Sequence, residues 1–270
     1  MKRIIIALLG ISLVFTSCKK GKVEISGCTD SSALNFDPLA TIDDSSCIYP
    51  VNTSLTINFS QTVDGVDLTT DTMIYTNSAG EDYSIQTLKY LISDITLHKD
   101  DSTSILLKEV HFVDIRNAST LSVDFGELQD GNYTSISFTM GLDTAKNISN
   151  RYVNEDFHAT MFWPEPNGGG YHYMKLEGAY TNDSTFYNTH TGGTMGGDYS
   201  FNNNSSILLN VNNDMGDVII DINMEINNWY QTPNEIAFST YGMGIMMNMQ
   251  KQMELKQNGM TDIFSVSVNQ

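Results

Sequence analysis

The feature that most constrains the fold is a series of short segments in which apolar and polar residues alternate. In the segment 55–59, Leu55, Ile57 and Phe59 fall on one side of an extended chain. Such segments recur at intervals of roughly ten residues, with Gly, Asn and Asp turns between them, a spacing typical of an antiparallel sandwich or barrel. The other segments are 89–93, 104–108, 110–115, 121–125, 133–140, 171–178, 186–190, 206–211, 217–226 and 263–268.

Helical patterns are few. The main predicted helix covers residues 243–256, and Gln257, Asn258 and Gly259 supply its C-cap. A turn or short helix is predicted from residue 83, before the strand at 89–93. The sequence therefore predicts a mainly β protein, in which residues 52–270 form one antiparallel β-sandwich-like domain with one C-terminal helix.

Residues 1–17 have the pattern of an export signal. Lys2 and Arg3 precede an apolar stretch at 4–15, which is too short to span a bilayer of about 30 Å. The small residues that follow, ending in Cys18, resemble a bacterial lipobox, in which Cys18 is acylated and becomes the first mature residue. An ordinary signal peptide or a single-pass anchor is the alternative.

The residues after Cys18 bear on the compartment. Two lysines follow it instead of an acidic residue, so retention at the inner membrane is not indicated. We therefore expect an outer-membrane lipoprotein in the cell envelope of a Gram-negative bacterium, periplasmic or surface-facing. Its only membrane contact is expected to be the lipid anchor, because no second long apolar segment is present.

The cysteine count predicts one disulfide. Of the three cysteines, Cys18 is assigned to the lipid, which leaves Cys28 and Cys47 in an oxidising compartment. Two remaining thiols in an exported chain most simply pair with each other. A crosslink that closes a loop of this length is worth about 3 kcal/mol in the chain-entropy model.

The two cysteines belong to a short module within residues 18–50. Gly-Cys-Thr-Asp at 27–30 and Ala-Thr-Ile-Asp-Asp-Ser-Ser-Cys at 40–47 resemble a two-cysteine module found near the ends of many bacterial surface proteins. Its aspartates suit either a hard cation such as Ca²⁺ or the capping of turns, and the second interpretation is favoured. These aspartates are Asp30, Asp37, Asp43 and Asp44.

Charge and motifs exclude several function classes. With 14 Lys and Arg against 32 Asp and Glu, the formal net charge is −18, so the chain lacks the basic surface that nucleic acid requires. It contains no Gly-x-Ser-x-Gly, His-Glu-x-x-His, P-loop or Rossmann motif. We therefore expect a protein that is not an enzyme.

A set of motifs, in one order along the chain, resembles the MbnP-like family. The most specific block runs from Met-Phe-Trp-Pro at 161–164 to Gly-Gly-Tyr-His-Tyr-Met-Lys-Leu-Glu-Gly at 169–178. The resemblance covers nearly all of residues 52–270. The other matching segments are Leu-Lys-Tyr-Leu-Ile-Ser-Asp-Ile at 88–95, Phe-Thr-Met-Gly-Leu-Asp at 138–143, His-Thr-Gly at 190–192 and Asn-Gly-Met-Thr-Asp-Ile-Phe-Ser at 258–265.

This resemblance implies both a fold and a ligand. MbnP-like proteins are periplasmic or lipid-anchored copper-binding proteins, related to one encoded beside the copper-chelating peptide methanobactin. Members are thought to be β-sandwich-like, and some bind a single copper through two histidines with help from an oxidised tryptophan. The resemblance thus implies a copper ion as ligand and, as a further partner, an unidentified envelope protein.

The residues themselves favour one pair of histidines for the metal. Two-residue alternation places His172 and Met174 on one face of a strand. If 186–190 is the neighbouring antiparallel strand, His190 lies near His172, because facing Cβ atoms are about 5 Å apart. Imidazole and thioether ligands select copper over alkaline earths. The predicted metal site is His172, His190, Met174 and His158, with Trp163 beside it, whereas His98 is expected to be solvated.

The chain departs from the family pattern at the tryptophan. The segment 163–166 reads Trp-Pro-Glu-Pro, and Trp229 is the only other tryptophan. The oxidised tryptophan is therefore not carried over, and Trp163 is interpreted as a packed aromatic. The alternative to copper handling is a non-catalytic surface binding or scaffold module that keeps the fold without metal.

Overall fold

The computed structural model describes residues 23–49, 53–212, 216–241 and 243–269, except the side chains of residues 182 and 183. Contacts divide the chain into two compact units, Met1–Pro50 and Val51–Gln270. The predicted export signal and Cys18 lie outside the described residues, so both the signal and lipidation stay predictions. No helix among the described residues is long and apolar enough to cross a membrane.

The first unit is a short disulfide-bonded module. Its strands β1 (Ser26–Gly27) and β2 (Ile42–Asp43) pair in parallel, and the predicted disulfide between Cys28 and Cys47 is present. The aspartates cap turns: Asp30 Oδ1 accepts a hydrogen bond from the Ser32 amide, and Asp37, Asp43 and Asp44 make the same contact two residues ahead. The turn interpretation accounts for these aspartates without a cation.

The second unit is mainly β, as predicted, with two sheets packed on one core. Its strands follow the alternating segments closely, because alternate side chains enter the core and the others face water. The strands are β3 (Ser54–Val63), β4 (Val66–Asp67), β5 (Tyr75–Thr76), β6 (Asp82–Tyr83), β7 (Thr87–Lys99), β8 (Ser104–Asp114), β9 (Ser122–Glu127), β10 (Gly131–Met140), β11 (His172–Tyr180), β12 (Asn182–Gly192), β13 (Phe201–Val211), β14 (Val218–Glu225) and β15 (Phe264–Asn269).

The larger sheet is split along β7. One edge of this long strand pairs with β8, and its other edge is shared by β11, at residues 87–90, and β10, at residues 92–99. Strand β12 extends the β11 half and β13 extends the β10 half. The two halves meet where β10 ends and β11 begins, so His172 lies at this junction.

The smaller sheet has the order β9, β3, β14 and β15, and β4 adds to the far end of β3. All its pairs are antiparallel except β3 with β14, which are parallel. The main core lies between the two sheets and takes buried side chains from both, such as Ile57 and Ile220 from the smaller sheet and Leu88 and Leu176 from the larger.

Two helical predictions need correction. The C-terminal helix α3 spans Met249–Asp262 instead of 243–256, because Asn248 is its N-cap and accepts a hydrogen bond from the Lys251 amide. It does not end at Asn258 and Gly259. The Asn258 side chain is buried and donates to the Trp229 and Asn234 carbonyls, and Gly259 lies against Phe201, where a Cβ would be 2.2 Å from Cζ.

The segment from residue 83 contains no helix. The chain passes from β6 into β7 through residues 84–86, which bond to β11 through the Ser84 and Gln86 amides. Among the described residues, the other α-helices are single turns, α1 (His158–Met161) and α2 (Phe238–Tyr241). Helix α1 immediately precedes the Trp163 segment.

Candidate metal centre

A bulge in β11 sets the direction of His172. His172 pairs with Gly192 of β12 and Met174 pairs with Thr191, so Tyr173 is an extra residue without its own partner. Facing residues share a side of the sheet, and neighbouring Thr191 and Gly192 point to opposite sides. His172 and Met174 therefore point to opposite sides, and the prediction that they share a face is wrong.

The same bulge brings the two predicted histidines together. Gly192 is the residue that faces His172 in the strand pair, and His190 lies two residues before Gly192. Because residues two apart in a strand point to the same side, both imidazoles lie on one face of the sheet as diagonal neighbours. Their ring centroids are 5.0 Å apart, with the ring planes nearly perpendicular at 86°. Two nitrogen ligands are thus presented at the start of β11.

His172 has a free acceptor nitrogen in a buried position. The residue is 5% exposed, and its Nδ1 lies 3.2 Å from the Met161 carbonyl oxygen. Because a carbonyl oxygen can only accept, Nδ1 carries the proton and Nε2 keeps its lone pair. Nε2 is one of four buried side-chain polar atoms in the described part of the chain without a hydrogen-bond partner. Such an atom requires an explanation, and an absent ligand is one.

Burial keeps the His172 imidazole neutral. Removal from water, followed by repulsion from His190, lowers the pKa of His172 to about 3. A metal-binding imidazole must be neutral, so no proton competes for Nε2 at any pH near neutrality.

Glu177 orients the second imidazole. Glu177 Oε1 lies 2.6 Å from His190 Nε2, and the hydrogen bond from His190 lowers the pKa of the Glu177 carboxyl. An ionised carboxylate accepts from Nε2–H, which leaves Nδ1 of a neutral His190 as its free donor atom. A carboxylate that holds the far nitrogen of a ligand histidine is common around bound metals.

Glu177 is not among the site residues predicted from the sequence. The strand register could have identified Glu177. Lys175 faces His190 in the strand pair, and Glu177 lies two residues after Lys175 on the same side of the sheet. A correct alignment of β11 with β12 would have placed this carboxylate beside the imidazole.

Helix α3 fixes the position of β12. The buried Gln252 side chain donates to the His190 carbonyl oxygen, 2.7 Å away, and accepts from the Gly192 amide at 3.2 Å. It also donates to the Ile245 carbonyl at the turn before the helix. One side chain thus bonds the backbone on both sides of Thr191, which holds His190 opposite β11.

Trp163 forms the wall of the site on the His172 side. Its indole is fully buried, donates from Nε1 to the Asn167 carbonyl oxygen at 3.1 Å, and lies edge-on to His172 with ring centroids 4.6 Å apart. Gly192 completes the contact, because a Cβ there would be 2.6 Å from Trp163 Cε3. The structure thus places Trp163 beside His172.

This geometry lies within a segment that matches one protein family. The family model for MbnP matches residues 52–248, which is more than half of the chain. The chain belongs to the MbnP family. No curated protein sequence matches it.

One solved structure supports the same assignment at the level of the fold. MbnP from Methylosinus trichosporium has a TM-score of 0.51 with this chain and 12% sequence identity, over 82% of this chain and 100% of that one. The two MbnP proteins thus share a fold while their sequences differ at most positions.

Two of the predicted ligands of this MbnP chain lie elsewhere. Met174 is buried in the main core between the sheets, on the other side of β11 from His172. His158 lies at the start of α1, where its Nδ1 is 2.9 Å from the Tyr171 hydroxyl and its ring packs against Phe162 and Tyr171. Neither contacts the imidazole pair in the structure.

In the described part of the chain, the two imidazoles lack a third ligand of the usual kinds. Over residues 23–49, 53–212, 216–241 and 243–269, no group of three or more His, Cys, Asp or Glu side chains is arranged to hold a metal ion.

The remaining histidines have structural roles. His98 is partly buried and its Nε2 lies 2.7 Å from the Ser137 hydroxyl, so it is not simply solvated. His111 stacks on Phe59 with ring centroids 4.6 Å apart, and its Nε2 donates to the Thr120 carbonyl oxygen.

His111 predicts a loss of stability in acid. Burial lowers the pKa of His111 to about 4, whereas an unfolded histidine titrates near 6.5, so only the unfolded chain gains a proton between these values. The folded state therefore loses up to about 3 kcal/mol as the pH falls from 6.5 to 4. Denaturant titrations at pH 7 and 4.5 should show a smaller drop in the free energy of unfolding for His111→Gln than for wild type. An equal drop in the two proteins would contradict this assignment.

Proposed function

We propose that this MbnP-family chain is a lipid-anchored cell-envelope protein that binds copper at His172 and His190 and captures or passes on the ion. The observation that carries the proposal is the buried Nε2 of His172, which has a lone pair and no hydrogen-bond partner. Leaving such an atom unpaired costs about 1–3 kcal/mol, a cost that a bound metal would remove.

The donor set suits copper. Two imidazole ligands favour a borderline or soft transition metal over Mg²⁺ or Ca²⁺, which prefer oxygen ligands. Copper in its reduced form accepts few ligands, which suits a site with only two imidazole nitrogens. His172 would bind through Nε2 and His190 through Nδ1, with Glu177 holding the far nitrogen of His190.

The residues around the imidazole pair suit a site that holds an ion without using it in a reaction. Trp163 covers the His172 side and Gln252 fixes the backbone of β12. These contacts hold both rings before the ion arrives, so binding requires little rearrangement. The chain would then act as a carrier or store for the ion, with no catalytic step.

The alternative is a surface binding or scaffold module without metal, and metal content separates the two. The full-length protein should be isolated without chelators from cells grown with added copper, and its copper and zinc content measured. We expect the wild type to retain about one more copper per protein than His172→Ala/His190→Ala retains. Copper-free wild type that also fails to bind added copper would overturn the proposal.

Lipid anchoring needs its own test, because copper binding does not depend on it. Metabolic labelling with a palmitate analogue should modify the wild type and spare Cys18→Ser. Absence of label from the wild type would contradict the lipoprotein assignment and leave the copper proposal intact.

A further inference from the structure

Methionine is concentrated in one short segment. Residues 243–260 contain six of the chain's 14 methionines and no histidine or cysteine. Five of the six side chains are exposed, with exposed fractions between 43% and 65%. They are Met243, Met247, Met249, Met253 and Met260.

Among the apolar side chains of this segment, the exposed ones are methionines. The two aliphatic residues of the segment that are not methionine, Ile245 and Leu255, are buried, so hydrocarbon side chains point inward and thioethers outward. Interfaces that dock a protein are enriched in aromatic residues and Arg as well as Met, and residues 243–260 contain no aromatic residue and no Arg. A face made of thioethers alone points to a ligand that recognises sulfur.

The backbone carries three of these methionines within seven consecutive positions, 247–253. Met249 and Met253 are one helical turn apart in the first turns of α3, where Cβ atoms of such pairs are about 5–6 Å apart. Met247 ends the single-turn helix Ile245–Met247, and only the N-cap Asn248 separates it from Met249. The Asn248 side chain bonds the Lys251 amide, which fixes this turn against the helix.

The turn is also attached to the rest of the domain. The Thr194 hydroxyl donates to the Met246 carbonyl oxygen at 2.8 Å, and Gln252 donates to the Ile245 carbonyl oxygen. The three thioethers are therefore carried by a backbone that is bonded at both of its ends. This limits the conformational entropy lost when they gather around an ion.

We propose that Met247, Met249 and Met253 form a second metal site, which binds Cu(I) or another soft monovalent cation such as Ag(I) through thioether sulfur alone. Soft thioether ligands select Cu(I) among the biological metals. The site uses none of the residues of the imidazole pair, so it does not depend on the proposed function of that pair.

Silver titration tests the site directly. Ag(I), a redox-inert cation with the preferences of Cu(I), should be titrated into His172→Ala/His190→Ala, which lacks the imidazole pair. We expect this protein to bind about one Ag(I) at the thioether site, and Met247→Leu/Met249→Leu/Met253→Leu in the same background to lose at least about 10-fold in affinity. Leucine matches methionine in volume, so the fold should be retained, which circular dichroism melting will check.

The control is Met73→Leu/Met260→Leu in the same background, which changes one methionine outside the segment and one at its end. We expect it to bind Ag(I) like its parent. An unchanged affinity in the triple leucine variant, or an equal loss in the control, would overturn the proposal. Because all proteins in this titration lack His172 and His190, its outcome is separate from the fate of the copper proposal.

Discussion

Replacing His172 with leucine is expected to remove tight copper binding and to leave the metal-free domain about as stable as wild type. Loss of the ligand nitrogen should lower copper affinity by more than about 100-fold, because loss of an outer-shell partner alone costs 10–100-fold. The free energy of unfolding should stay within about 1 kcal/mol of wild type, because removal of the unpartnered buried Nε2 offsets the loss of the hydrogen bond from Nδ1 to the Met161 carbonyl oxygen. If His172 served only to stabilise the fold, its replacement would lower the free energy of unfolding and leave copper affinity unchanged.

His158→Leu is the matched control for this result. His158 lies on the other side of Tyr171, to whose hydroxyl its Nδ1 is bonded, and it does not contact the imidazole pair. Copper affinity should be unchanged in this variant, measured in competition with a chelator of known affinity. Wild-type affinity in His172→Leu, or an equal loss in both variants, would contradict the assignment of His172 as a ligand.

Gly192→Ala is expected to weaken copper binding without touching a ligand. The new Cβ would lie 2.6 Å from Cε3 of the fully buried Trp163, a distance that requires the indole to move. Because Trp163 packs against His172 with ring centroids 4.6 Å apart, the imidazole would move with it. We expect a loss of about 1–3 kcal/mol in stability from overpacking and a loss of at least about 10-fold in copper affinity.

The comparison for this variant is Gly216→Ala, since nothing lies within 4 Å of a Cβ at Gly216. That protein should match the wild type in both measurements. A Gly192→Ala protein with wild-type copper affinity would show that the position of Trp163 does not control the imidazole pair.

Strand positions could be predicted from the sequence because alternation is a local signal. In β3, Leu55, Ile57 and Phe59 are buried as predicted. The parallel pairing of β3 with β14 could not be predicted, because paired residues such as Asn58 and Asp221 are 163 positions apart. No local pattern specifies which distant strand lies beside β3.

The candidate site was predicted in part. The imidazole pair follows from the pairing of β11 with β12, but the bulge at Tyr173 adds one residue without any turn signal. Strict alternation therefore assigned Met174 to the wrong face of the sheet. The same kind of error occurred in α3, where tertiary contacts of Asn258 and Gly259 override their local preference to end a helix.

The most direct test of the central claim is to observe the ligand nitrogens themselves. Protein labelled with ¹⁵N-histidine should be examined by long-range ¹H–¹⁵N NMR before and after one equivalent of Cu(I) is added under anaerobic conditions. We predict that Nε2 of His172 and Nδ1 of His190 shift strongly, while the nitrogens of His98, His111 and His158 keep their resonances. If Nε2 of His172 keeps its resonance when copper is bound, the proposed copper site is wrong.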